Sequence, residues 1–153
     1  MDSYFVLSGA DAPLLDFDTT RHEFYICGIS HPESAMEFYG FLIRWLKCYV
    51  DKQLEKGECA PHRLTFLFRH INSMSFRSVS RVCRIFAQLS AVTSCEIVWL
   101  FENEDLDIYE AGEDLKEELA LKNPPFRLSA TNETIESLQE RLIHLHATEG
   151  QPV

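Results

Sequence analysis

Residues 70–84 gather the side chains best equipped for chemistry: His70, Asn72, Ser73, Met74 and Ser75, then Arg77, Arg81 and Arg84. The apolar run LTFLF, residues 64–68, precedes them, and arginines at helical spacing follow. Hydroxyls and an amide between a buried strand and a helix suit three tasks. They can cap the helix, because its first N–H groups lack intrahelical partners. A hydroxyl there can accept a phosphate, whose oxygens would meet the same donors and the positive end of the helix dipole. A serine near a histidine can also act as a nucleophile with its base. The third task lacks support, because no carboxylate follows with recognisable spacing and no G-x-S-x-G elbow is present. Local pattern alone favours the cap, with Ser75 in that role and Ser73 outside the helix.

The 4-3 spacing of Arg77, Arg81 and Arg84 sets them along one side of the helix. That basic stripe stands out in a chain whose formal net charge is −10 and whose pI is about 5.0. The overall charge repels nucleic-acid backbones and anionic membrane surfaces. The arginines therefore suit a phosphate on Ser73 or an acidic patch on a protein partner.

Other candidates carry less. The acidic group Glu102, Glu104, Asp105, Asp107, Glu110, Glu113 and Asp114 lacks the spacing of a calcium loop and suits the solvated start of a helix. His144 and His146 are two apart, a poor helical pair for one metal. His70 reads as a half-buried polar residue at a strand end. The five cysteines, Cys27, Cys48, Cys59, Cys83 and Cys95, are odd in number and form no C-x-x-C pair. Reduced thiols in a cytoplasmic protein follow, with no zinc site and no cofactor. No apolar run approaches the ~20 residues of a membrane span, and the N-terminus does not read as a signal peptide.

The elements that must position residues 70–84 follow from periodicity. Hydrophobic residues make up 46% of the 153-residue chain, enough for one real core. YFVLSG, LLDFDTT and HEFYICGIS read as short strands. The clearest helix starts at Ser30, with Ser30 and Glu33 as a capping box and Pro32 in the first turn, and ends at Gly57. Its apolar face is Met36, Tyr39 or Gly40, Ile43, Leu46 and Val50, with Phe38, Phe41 and Trp45 also on the core side. RLTFLF is a buried strand, residues 75–91 form a helix, and CEIVWLF is a strand covered on both faces. A third helix follows the acidic run, and NPPFRLSA is an edge strand. Strands alternating with helices predict an α/β sandwich with a mixed sheet. Ile135, Leu138, Leu142 and Leu145 form the narrow seam of an additional C-terminal amphipathic helix, with a frayed end. That seam can cover the domain itself, or bind a partner helix or a second copy as a homodimer.

Four pieces in order, SHPESAMEFYGFLIRWL, LTFLFRHINSMS, EIVWLFENEDLDIYEAGEDL and PPF, span about Ser30 to Phe126. Together they resemble the SiaC family of bacterial regulatory phosphoproteins, whose fold is like the STAS anti-anti-sigma factors. The first piece matches through Ser30, Pro32, Glu33, Glu37, Phe38 and Tyr39. The family's central motif, Tyr-hydrophobic-Asn-Thr-Ser-Ser, lies at the strand-to-helix turn. Asn72 matches it, Ser73 takes the place of the phosphorylated threonine, and Ser75 matches the last serine. His70 replaces the aromatic residue and Met74 the middle serine.

The resemblance implies a STAS-like regulatory domain over residues 1–130, with residues 131–153 as a helical extension and tail. It implies a non-enzymatic partner switch. A serine/threonine kinase would phosphorylate Ser73, with Ser75 the second choice, and a metal-dependent protein phosphatase would reverse it. The unmodified form would bind an effector, a diguanylate cyclase in the family's best-known arrangement, through Asn72, Ser73, Met74, Ser75, Arg77, Arg81 and Arg84. Cyclic di-GMP and biofilm regulation follow from that arrangement. The competing expectation is a constitutive adaptor or anti-sigma-type regulator that binds through its C-terminal helix.

Overall fold

A computed structural model describes residues 1–149. Within them lie six strands, four α-helices and one 3-10 turn. The strands are β1 (Tyr4–Val6), β2 (Leu14–Asp18), β3 (Glu23–Ser30), β4 (His62–Ile71), β5 (Cys95–Glu102) and β6 (Phe126–Thr131). The helices are α1 (Ala35–Lys56), α2 (Ser73–Ala87), α3 (Leu106–Leu119) and α4 (Ile135–Glu149), and the 3-10 turn Gln88–Ala91 continues α2.

The strands lie in the sheet in chain order. β1, β2 and β3 are antiparallel neighbours, whereas β3, β4, β5 and β6 run parallel. Parallel neighbours need crossovers, and crossovers of one hand between sequential strands put α1, α2 and α3 on one face. The mixed sheet expected from the sequence is therefore present. So is the run of apolar residues in β4 and β5, where both faces are covered.

Alternation along the strands splits the core in two. Phe24, Ile26, Leu64, Phe66, Phe68, Ile97 and Trp99 point toward α1, α2 and α3. Leu14, Cys27 and Leu67 point the other way and pack against Ile135, Leu138 and Leu142 of α4. The C-terminal seam thus covers the domain's own sheet, and three of its four apolar residues are buried there, with Leu145 half-buried. It is not a free surface for a partner helix. The chain end expected to fray, residues 150–153, lies outside the described residues.

Gly28 fits α4 to the sheet. Its φ is +139°, and the β3–β4 register shifts between Gly28 and Ile29. A Cβ at Gly28 would meet Gln139 Nε2 at 2.9 Å. That same amide donates to the Cys27 carbonyl at 2.9 Å. Glycine is therefore needed here for backbone shape and for close approach.

Three expectations about the helices are corrected. α1 begins at Ala35, because Ser30 remains in β3, paired with Ile71 of β4. The Ser30 hydroxyl is buried and bonded to the Tyr39 hydroxyl at 2.6 Å, so it caps nothing. Ser34 accepts the Glu37 amide instead, an S-x-x-E pair one turn later. Met36 and Phe41 are 70% and 54% exposed, outside the buried stripe of Tyr39, Leu42, Ile43, Leu46, Tyr49 and Val50. Phe38 and Trp45 pack partly buried against the core, as expected.

Candidate functional site

The C-terminal ends of four parallel strands lie at one rim of the sheet, and each strand is followed by a helix. The N-termini of α1, α2, α3 and α4 therefore share that rim. Each contributes unpaired N–H groups and a partial positive charge. An acidic chain thus gathers its anion-favouring backbone ends in one place.

At the centre of the rim, β4 passes directly into α2. The Asn72 side chain accepts the Ser75 amide at 2.8 Å, and the Asn72 carbonyl accepts the Phe76 amide at 2.9 Å. The Asn72 amide donates to the Ser30 carbonyl at 3.0 Å. The turn is thereby tied to the end of β3. Asn72, not Ser75, is the cap, and α2 starts at Ser73.

This assignment separates the two serines. Ser73 is the first helical residue and is exposed, and its hydroxyl has no hydrogen-bond partner among the described residues. Ser75 lies in the first turn, is fully buried, and its hydroxyl is also unpartnered among the described residues. Ser75, the second-choice acceptor, is thus 0% exposed in the folded domain, and of the two serines Ser73 is the one at the surface. The period of the helix decides this, since Ser75, Ser78, Val79 and Val82 all face inward.

Met74 is 44% exposed beside Ser73. Arg77, Arg81 and Arg84 are exposed, and at 3.6 residues per turn they fall with Ser73 within an arc of about 80°. Arg84 reaches sideways, and its guanidinium donates to the Glu118 carbonyl at 3.2 Å at the end of α3. Two further apolar side chains on the rim were not legible as surface residues: Met36 in the first turn of α1, and Leu106, 68% exposed, at the start of α3. Residue type gives no warning of them, and the buried stripes that begin at Ala35 and Ile108 leave both outside.

His70 is exposed rather than half-buried, and its ring meets the edge of His31 at 5.0 Å. His31 in turn faces Asp11 at 3.4 Å. No hydrogen bond joins His70 to Ser73 among the described residues, so the Ser–His nucleophile pair is not formed. Asp105 of the acidic run caps α3 by accepting the Ile108 amide at 3.2 Å. Among the described residues no His, Cys, Asp and Glu cluster is arranged to hold a metal ion.

A turn that caps itself through asparagine and presents a free hydroxyl beside arginines fits the motif met in the sequence. The model of the SiaC family, described as SiaC family regulatory phosphoprotein, matches residues 7–130. The chain belongs to the SiaC family. Solved structures agree in fold. SiaC of Pseudomonas aeruginosa superposes with a TM-score of 0.71 at 16% identity, covering 86% of this chain and 100% of that one. SiaC bound, as its activator, to the diguanylate cyclase SiaD of the same organism gives 0.71 at 16% identity, over 84% and 99%. Apo-SiaC gives 0.68 at 16% identity, over 85% and 100%. Among curated proteins none matches this chain. The SiaC family model stops before α4, which begins at Ile135. No helix among the described residues is long and apolar enough to cross a membrane.

Proposed function

We propose that this SiaC-family chain is a partner-switching protein whose binding to an effector is controlled by reversible phosphorylation of Ser73. The observation that carries the reading is the division of labour at the turn. Asn72 does the capping, which leaves Ser73 exposed and uncommitted at the first position of α2. A serine/threonine kinase moves the terminal phosphoryl group of a nucleoside triphosphate to Ser73 Oγ, with loss of the hydroxyl proton. A metal-dependent phosphatase hydrolyses the ester. The unmodified form binds the effector through Ser73, Met74, Arg77, Arg81 and Arg84, in the cytoplasm, with residues 1–130 as the regulatory domain and residues 131–153 as an extension. A diguanylate cyclase is the effector class, by analogy with SiaC of Pseudomonas aeruginosa, which is described as the activator of one.

Peptide mass spectrometry on protein isolated from its native cells tests the reading. Phosphate on Ser73 at an occupancy that changes with growth condition is expected. Its absence in every condition, or equal effector binding by Ser73→Ala and Ser73→Asp proteins, overturns it.

A further inference from the structure

α2 contains three arginines and no acidic residue, in a chain of net charge −10. Elsewhere the arginines are engaged: Arg63 with Glu23 and Glu96, Arg69 with Glu136, Arg127 with Glu96 and Arg141 with Glu133. Arg44 lies over the Phe41 ring, and Arg84 donates to the Glu118 carbonyl. Arg77 and Arg81 have no hydrogen-bond or ion-pair partner among the described residues. They follow Ser73 by one turn and two turns, about 6 and 12 Å along the axis. An extended arginine spans the first of these distances and not the second.

Exposed apolar side chains stand in the first turns of two packed helices, Met74 on α2 and Met36 on the neighbouring α1. On the far side α3 presents Asp107, Glu110, Glu113, Asp114 and Glu117, which repel an acidic partner from that flank. Cations repeating every four residues match acids at the same repeat on a helix laid alongside, and the methionines offer it an apolar anchor.

We propose that Arg77 is the intramolecular receptor for a phosphate on Ser73. In the unmodified chain the same guanidinium, with Arg81, Met74 and Met36, holds an acidic amphipathic helix of the effector. Phosphorylation then releases the partner by occupying Arg77 from within. This rests on the reading of Ser73 as the modified residue, and it adds which group receives the phosphate and what the partner's contact is made of.

The test uses the full chain with phosphoserine installed at position 73 during synthesis. Phosphorus NMR follows the phosphate through its second ionisation, near pH 6. With Arg77 present the midpoint is expected about half a pH unit lower than in the Arg77→Gln protein, as an exposed ion pair gives. Arg84→Gln, about 17 Å away along the helix, leaves it unchanged. The second readout is the anisotropy of a labelled helical peptide with Glu and Leu at three- and four-residue spacing. The phosphate and Arg77→Gln should each weaken binding by about fivefold or more, and together by little more than either alone, as a shared contact requires. Unchanged thermal melts confirm that Arg77→Gln leaves the fold intact. An equal midpoint with and without Arg77, effects that multiply, or binding no tighter than that of a Lys-for-Glu peptide overturns the proposal. Installed phosphoserine does not depend on any cellular kinase. An unmodified Ser73 in cells would defeat the switch and leave the Arg77 result standing.

Discussion

The Asn72 side chain accepts the amide of Ser75 at 2.8 Å, so the cap of α2 is made one residue before the hydroxyl that the family motif marks. Stability and signalling at this turn therefore reside in different side chains. Asn72→Ala should cost about 1 kcal/mol, typical of a lost N-cap. Ser73→Ala, at an exposed first-turn position, should change stability by less than about 0.5 kcal/mol. Urea unfolding of both variants checks this. A larger loss for Ser73→Ala would show that its hydroxyl holds the helix.

α3 is pressed against the sheet at Gly112. A Cβ there would overlap Trp99 Cδ1, and the indole is fully buried with its N–H donated to the Ile108 carbonyl at 2.9 Å. Helix and ring cannot both stay in place. Gly112→Ala should destabilise by about 1–3 kcal/mol, despite the higher helix propensity of alanine. Its tryptophan fluorescence should shift toward that of a more exposed indole. An unchanged melting temperature would mean the contact relaxes freely.

The docking of α4 depends on a small set of side chains. Leu138 is 1% exposed between Leu14, Cys27 and Leu67, so Leu138→Ala should cost about 2–4 kcal/mol. Gly28→Ala should act on the same helix from the sheet side, through its positive φ and the crowding of Gln139. Hydrogen exchange should then rise in α4 and along β3 before it rises in α1. Uniform loss of protection would instead mean that α4 unfolds only with the whole domain.

A pH dependence follows from His62, which is 2% exposed. Its Nδ1 donates to the Ala60 carbonyl at 2.7 Å, so Nε2 accepts the Tyr49 hydroxyl at 2.6 Å and the ring is neutral. Burial holds its pKa down at about 4, against an ordinary value of 6.5. Between these values the unfolded chain binds the proton and the folded chain does not. Stability from this group is therefore complete above pH 6.5 and falls as pH drops toward 4, by an amount on the order of 3 kcal/mol. Urea midpoints from pH 7.5 to 4 should fall less steeply in a His62→Gln protein. Parallel curves would place the acid sensitivity elsewhere.

Where the periodic signal was long, the sequence was legible. The Tyr39, Ile43, Leu46 and Val50 stripe of α1 and the apolar runs of β4 and β5 are buried as their spacing required. The beginnings of the helices were not legible to the residue. Two S-x-x-E pairs, Ser30–Glu33 and Ser34–Glu37, are equivalent as sequence. Pairing of Ser30 with Ile71 across the sheet selects the second. Asn72, Ser73 and Ser75 are all acceptable caps by residue type, and only the point where β4 stops chooses Asn72.

The chain alone thus determined which segments alternate, where a hydroxyl meets arginines, and the motif that marks Ser73. Those are local properties of side-chain type and spacing. The tertiary structure decided which serine is exposed, which arginines remain unpaired, and that the C-terminal seam lies on its own sheet. Each depends on what a distant part of the chain covers: Ser75 lies on the face of α2 that is buried against the rest of the domain, and Leu138 meets Leu14 and Leu67 only after the sheet has formed.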